Sequence, residues 1–309
     1  MHMAHFLFAP CNLSSFSAQT TYTNMAPLAF SDIAKASNDL LNKDYYHLAR
    51  ASLEIKTKAP NGVAFVAKGK SSQKDGSIAG NLEAKYADKA NGVTVTQGWT
   101  TANVLDSKIE IDEALAQGLK GELATSFVPS SGAKNAKLSL FFKQPSFQAR
   151  AFFDLLKGPT VTSDATLGHD GFIAGAEVGY DVSDAKVTKY SAAVGYTAPV
   201  YSTSILATNS LSVFSAAYFH RVNPATEVGA KATWDSKAAA APVGLEIGAK
   251  HVLDANSFAK AKINNQGIAA LAYSVGLKPG VRVGVGASID TQRLEQSAHN
   301  LGVSFTFEG

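Results

Sequence analysis

From Leu48 to Gly309 the chain keeps a hydrophobic period of two, and no other feature limits its fold so tightly. Ala49, Ala51, Leu53 and Ile55 alternate with Arg50, Ser52, Glu54 and Lys56, which puts small or apolar groups on one face of a strand and charges on the other. The pattern returns as Ile78, Leu82, Ala84 and Tyr86 against Ala79, Asn81, Glu83 and Lys85, and as Leu105, Ile109 and Ile111 against Asp106, Lys108, Glu110 and Asp112. Further on, Leu138, Leu140 and Phe142 oppose Lys137, Ser139 and Lys143, and Ala149, Ala151 and Phe153 oppose Gln148, Arg150 and Asp154. At the end Leu301, Val303, Phe305 and Phe307 oppose Gly302, Ser304, Thr306 and Glu308. Turn-forming stretches such as "APNG" from Ala59 and "KANG" from Lys89 separate the runs. Counted run by run, they predict about nineteen strands of roughly ten residues, the length a tilted membrane strand needs. The runs near Ser212 and Ser257 are the faintest.

Two architectures produce such strands. A soluble sandwich or barrel turns its apolar face inward, whereas a membrane barrel turns it toward lipid and keeps a polar lumen. A closed sheet of nearly twenty strands is too wide for side chains to fill and therefore encloses water. The predicted fold class is all-β: a transmembrane β-barrel of about nineteen strands, with Val303, Phe305 and Phe307 against lipid and Ser304 and Thr306 against the pore. Closure also removes strand edges that would be costly in hydrocarbon.

Composition excludes several alternatives. With 46% hydrophobic and 17% charged residues, wholesale disorder does not fit. No run approaches the roughly 18 apolar residues of a membrane helix, "IAALAY" from Ile268 being among the longest. A formal charge of +3 is too small to argue for nucleic acid. One cysteine, Cys11, supports neither a disulfide framework nor a thiolate metal site within one chain. Metal-ligand spacing and an ordered Ser, His and Asp set are absent, so neither an enzyme nor a metal or cofactor is expected. His169 and Asp170, beside Gly168 and Gly171, read as a turn. The close glycines of "GVRVGVGAS" from Gly280 continue a strand and open no helix, so they read as relief of lumenal crowding or as sheet curvature, not as a dinucleotide loop.

Residues 1–24 carry no Lys or Arg and so lack the positive n-region of a secretory signal and the basic face of a transit peptide. They read as a disordered extension or an upstream start, with Met25 the natural beginning, and the missing bacterial signal points to an organelle. After Pro27 the period lengthens. In "FSDIAKASNDLLNK", Phe30, Ile33, Leu40 and Leu41 share one helical face, and Asp32, Lys35, Asp39 and Lys43 share another. Ser31 is the expected N-cap, and Asp39 with Lys43 an i,i+4 pair. The expected layout is a helical segment over 25–46 and a barrel over 47–309.

Several stretches closely resemble the mitochondrial porins, the voltage-dependent anion channels, in their fungal form. They are "FSDIAKASNDLLNKDYYHLA", "NGVTVTQGWTTAN", "QGLKGE", "QARAFFDLLKGP", "LAYSVGLKPGVRVGVGASID" and "HNLGVSFTFEG", and the resemblance spans Met25 to Gly309. It implies a nineteen-stranded barrel of the mitochondrial outer membrane whose N-terminal helix lies inside the lumen and whose first and last strands pair in parallel. It also implies that Asn300, Gly302, Phe305 and Phe307 form the sorting signal for barrel insertion, and that Lys35 and Lys43 lie near permeating nucleotides. Two departures limit the transfer. Where animal members carry a glycine-rich hinge this chain reads "KDYYHLA", so a helix swinging about flexible glycines is not carried over. Gln97 stands where some animal members carry a lipid-facing glutamate.

The function implied is a voltage-gated, weakly anion-selective channel for ATP, ADP, phosphate and other small metabolites. The bases expected to line its path are Lys35, Lys43, Arg50, Lys56, Lys85, Lys108, Lys120, Lys137, Arg150 and Arg282, acting through their summed field. Asp32, Lys35, Asp39 and Lys43 are the charges of the expected gating helix. Trp99, Trp234, Tyr86, Tyr180 and Tyr196 are expected in interfacial girdles. Membrane lipids and sterol, a second copy of the chain and cytosolic kinases are the further partners considered, and nucleic acid is not one. Two other readings stay open at this point: a related protein-import barrel, whose cationic presequences suit a basic lumen poorly, and a soluble all-β binding protein.

Overall fold

The computed structural model describes residues 26–88, 90–113, 116–156, 158–238, 243–295 and 299–309. The predicted extension over 1–24 lies outside the described residues. The strands are β1 Ala51–Lys58, β2 Ala64–Ser71, β3 Ile78–Asp88, β4 Val93–Thr100, β5 Leu105–Asp112 and β6 Leu119–Val128. They continue as β7 Ala133–Gln144, β8 Phe147–Asp154, β9 Thr160–His169, β10 Phe172–Asp181, β11 Lys186–Thr197, β12 Tyr201–Thr208 and β13 Val213–Asn223. The last six are β14 Thr226–Asp235, β15 Gly244–Asp254, β16 Ser257–Asn264, β17 Ile268–Lys278, β18 Val281–Asp290 and β19 Asn300–Glu308.

Each strand pairs antiparallel with its sequence neighbour, and β1 closes the sheet by pairing parallel with β19, Ala51 opposite Val303 and Ile55 opposite Phe307. The parallel seam is a parity effect: an odd number of alternating strands returns to its start with both running the same way. Asp170 (φ 49°) and Gly171 (φ 84°) form the expected turn between β9 and β10. The predicted alternation holds around the wall. Large apolar residues cover the outside, with Leu301, Ile205 and Ile247 among the most exposed, whereas Ser274, Thr166 and Ser204 are buried on the inner face. No helix among the described residues is long and apolar enough to cross a membrane.

Outward exposure of Leu82, Trp99, Tyr86, Trp234 and Tyr180 fits a lipid-facing role. Tyr196 instead sits between Phe172 (4.6 Å between ring centres) and Tyr201 (5.8 Å), an aromatic row near the strand ends. One polar row interrupts the apolar surface: Gln97, Ser107 and Thr125 lie opposite one another on β4, β5 and β6. Their groups satisfy each other, the Ser107 hydroxyl donating to Gln97 Oε1 (2.7 Å), Gln97 Nε2 to the Asp106 carbonyl (3.1 Å) and Thr125 Oγ1 to the Ser107 carbonyl (3.4 Å). Such internal pairing keeps unsatisfied groups out of hydrocarbon.

The orientation is testable at the closing strand. Phe305→Lys is expected to destabilise the barrel in lipid vesicles by about 2–4 kcal/mol if it lies near the bilayer midplane, while Thr306→Lys is tolerated. Reversible urea unfolding reads both, and equal tolerance at the two positions would mean that the faces are assigned backwards.

Candidate functional site

The lumen is lined by the polar face of the strands, and the N-terminal segment lies in it. A 3-10 turn over Phe30–Asp32 is followed by helix α1, Lys35–Asn42, and by a second 3-10 turn over Tyr46–Leu48. The first turn packs on β9 and β10, α1 on β13–β15, and the second turn on β17–β19. The helix is thus shorter than the pattern predicts. An unbroken helix is straight, and this segment must follow a concave wall across many strands spaced about 4.8 Å apart. The break at Ile33 and Ala34 corrects the expected N-cap. Ala34 precedes α1 with no side-chain cap, and Ser31 stays in the 3-10 turn, where its hydroxyl accepts from Arg150 Nη1 (3.2 Å). The expected Asp39–Lys43 pair is not formed either, because Lys43 has left the helix (φ −82°, ψ 150°); Lys35 pairs with Asp32 at 3.7 Å.

The predicted apolar face does meet the wall. Phe30, Ile33, Leu40 and Leu41 are all buried, Leu41 completely. Each sits over a lumen-facing glycine. A Cβ on Gly175 would lie 3.1 Å from Phe30 Cδ2, on Gly195 2.9 Å from Ile33 Cγ2, on Gly229 2.8 Å from Leu40 Cδ2 and on Gly248 2.7 Å from Leu41 Cδ2. Gly284 lies beneath the Tyr46 ring, and Gly302 beneath the Tyr46 and Ala49 carbonyls. The glycines at 284 and 286 therefore relieve lumenal crowding, as their pattern suggests. Asp44 turns the chain back with φ 60°, a left-handed conformation that Asp tolerates better than most side chains.

Polar contacts add to this seat. Asn38 Oδ1 accepts from Lys231 Nζ (3.0 Å), and Thr166 Oγ1 donates to the Leu28 carbonyl (2.9 Å). Lys260 Nζ donates to the Asp39 carbonyl (3.1 Å) and the Lys43 carbonyl (2.7 Å) and lies 5.1 Å from the centre of the buried Tyr45 ring. Arg150 holds Asp164 through Nε (3.0 and 3.1 Å) and Nη2 (2.9 Å), both side chains largely buried.

Beyond the segment, the wall of β1–β7 faces the pore and carries a lattice of ion pairs within and between strands. Glu54 meets Lys68 (3.4 Å) and Lys56 (3.7 Å). Glu110 and Glu122 stand directly opposite each other on β5 and β6, and Lys120 (2.9 Å) and Lys108 (3.4 Å) relieve the repulsion at Glu110. Lys58, Lys70 and Lys85 also point inward, exposed, and join no ion pair among the described residues. Of the ten predicted bases, Arg50, Lys56, Lys85, Lys108, Lys120, Lys137 and Arg150 fall on or beside β1–β8, Arg282 on β18, and Lys35 and Lys43 on the segment. Arg150 is the one drawn fully into a buried pair. Lys260 and the glycine seats were missed. The available signal was the crowding of inward-facing glycines into β9–β19, against Gly98 alone in β1–β8 among the described residues.

Phe305 and Phe307 of the expected sorting signal face outward, while Asn300 and Gly302 face inward. No group of His, Cys, Asp and Glu among the described residues is placed to hold a metal ion.

A profile of the eukaryotic porin family matches residues 26–302. The mitochondrial outer membrane protein porin of Neurospora crassa is 57% identical over 284 residues, covering 92% of this chain and 100% of that protein. Its counterpart in Candida albicans is 56% identical over 283 residues, covering 92% and 99%. Non-selective voltage-gated ion channel 1 of Saccharomyces cerevisiae is 42% identical over 285 residues, covering 92% and 100%.

Proposed function

The chain belongs to the eukaryotic porin family, and from that membership we propose that it is a voltage-gated, weakly anion-selective pore of the mitochondrial outer membrane. The observation that carries the reading is the closed nineteen-strand barrel whose inner wall is lined by ion pairs with lysines left over. It performs no chemistry. Surplus positive charge lowers the barrier for ATP, ADP, phosphate and other small anions, and the water-filled bore lets hydrated solutes pass with little binding.

In this reading the lumenal segment runs through the turn at Tyr46–Leu48, two residues past the expected boundary at 46, and the barrel wall begins with β1 at Ala51. Lys35, Lys43, Arg50, Lys56, Lys85, Lys108, Lys120, Lys137 and Arg282 supply the field, and Arg150 joins it least because Asp164 already neutralises it. Asp32, Lys35, Asp39 and Lys43 are charges that respond to voltage, each contributing about 2.3 kcal/mol per 100 mV if it crosses the full potential. Bilayer lipid and sterol cover the outer face. Asn300, Gly302, Phe305 and Phe307 direct insertion.

Planar-bilayer recording in a tenfold KCl gradient tests the reading. A stepwise, voltage-dependent conductance with a reversal potential favouring chloride is expected. A pore preferring potassium would overturn the anion claim, and release of the protein by carbonate extraction of mitochondria would overturn the membrane reading itself.

A further inference from the structure

Lys260 is a lysine on β16 with 4% of its surface exposed, in a lumen where the other inward-facing lysines reach water. Its ammonium is not matched to a carboxylate. It donates instead to two backbone carbonyls, Asp39 O in the last turn of α1 and Lys43 O one residue past its end. The Asp39 carbonyl already accepts from the Lys43 N–H (3.1 Å), so the ammonium is its second donor, whereas the Lys43 carbonyl lies past the helix end, where carbonyls lack intrahelical partners and the partial negative charge favours a cation. The same ammonium and Lys262 Nζ flank the Tyr45 ring at 5.1 and 4.7 Å, pinning the chain where it turns from the helix toward β1. The apolar seats at Gly229 and Gly248 hold Leu40 and Leu41 in the body of α1, and the Lys260 contacts hold its C-terminal end.

We propose that Lys260 is the positioning residue of the pore: seated on the Asp39 and Lys43 carbonyls, it holds α1 against β14 and β15 and thereby sets a single, steady open-channel current. The current part rests on the channel reading above; the docking part does not. Removing the ammonium takes the donor from the Lys43 carbonyl and leaves the Asp39 carbonyl with the Lys43 N–H alone (3.1 Å), so the docked position loses its advantage over displaced ones.

A cysteine pair reads docking without any current. In a Cys11→Ser background, Leu41→Cys and Gly248→Cys place two thiols at a seat where Leu41 and the wall touch. With Lys260 present the pair is expected to oxidise readily in liposomes, and with Lys260→Met about tenfold more slowly, with Lys260→Arg restoring most of the rate. In bilayers, reduced Lys260→Met channels are expected to flicker between conductance levels near zero voltage, and closing the disulfide to restore one steady level. That rescue separates positioning from general destabilisation. If Met prevented barrel assembly, Lys260→Gln carries the same comparison. An unchanged oxidation rate overturns the proposal, as does a displaced segment with an unchanged current. A pore that conducts nothing in any variant, yet shows the slowed oxidation, would sink the channel reading and leave the docking role standing.

Discussion

Replacing Arg150 by methionine is expected to destabilise the barrel by about 3–5 kcal/mol, because Asp164 would stay buried without its counter-charge. The Asp164 side chain is 3% exposed and that of Arg150 14%, so neither relies on bulk water to screen it. Three contacts from Nε and Nη2 converge on the carboxylate, and the third guanidinium nitrogen, Nη1, reaches the Ser31 hydroxyl, which ties β8 and β9 to the first turn of the lumenal segment. Lysine at 150 should recover only part of the loss, since a single ammonium cannot reproduce the planar fork. The double replacement Arg150→Met with Asp164→Asn should recover most of it, as no charge is then left buried. Guanidinium unfolding of the refolded protein, followed by tryptophan fluorescence, measures all three. An Arg150→Met protein within 1 kcal/mol of the parent by this assay would mean that water reaches the pair.

The wall was legible in the sequence because two unlike solvents touch alternate side chains. Hydrocarbon on one side and water on the other write a period of two that survives even where Gln97, Ser107 and Thr125 break it, since those three satisfy one another. The helical segment was legible by face but not by length. Phe30, Ile33, Leu40 and Leu41 announce an apolar stripe, yet nothing local says that the wall's curvature will split it, because that constraint comes from strands far away in the chain. Lys260 was illegible for a similar reason. In "SFAKAKIN" it reads as one more lumenal lysine beside Lys262, and only the tertiary arrangement assigns one to backbone carbonyls and the other to Glu246 at 2.8 Å. The eight predicted bases of the wall follow the same rule: period placed them inside, but whether each is free or paired depends on register, which sets Lys120 against Glu110 and leaves Lys85 without a partner among the described residues.

That distinction makes the second large effect predictable. Charges already paired contribute little to the field at the pore axis, because a nearby carboxylate cancels them at distances beyond the pair. Selectivity should therefore follow the surplus lysines on the wall that α1 leaves uncovered, among them Lys58, Lys70 and Lys85 on β1–β3. Each Lys→Glu exchange changes the charge by two, so the triple replacement takes the formal net charge from +3 to −3, with the whole change placed on β1–β3. The reversal potential in a KCl gradient is expected to change sign, from chloride-favouring to potassium-favouring, while the triple glutamine variant falls between. Reversing the paired Lys108 and Lys120 would instead set new carboxylates beside Glu110 and Glu122 and should disturb stability as well as selectivity. Salt gives an independent handle. The screening length is about 10 Å at 0.1 M and about 3 Å at 1 M, so the parent's preference for anions and the triple variant's preference for cations should both shrink toward zero as salt rises. A sign change that persisted undiminished at 1 M would point to discrete ion-binding sites in place of a summed field, and a triple variant still favouring chloride would place the origin of selectivity on the bases left in place, among them Lys137 on β7 and Lys43 on the segment.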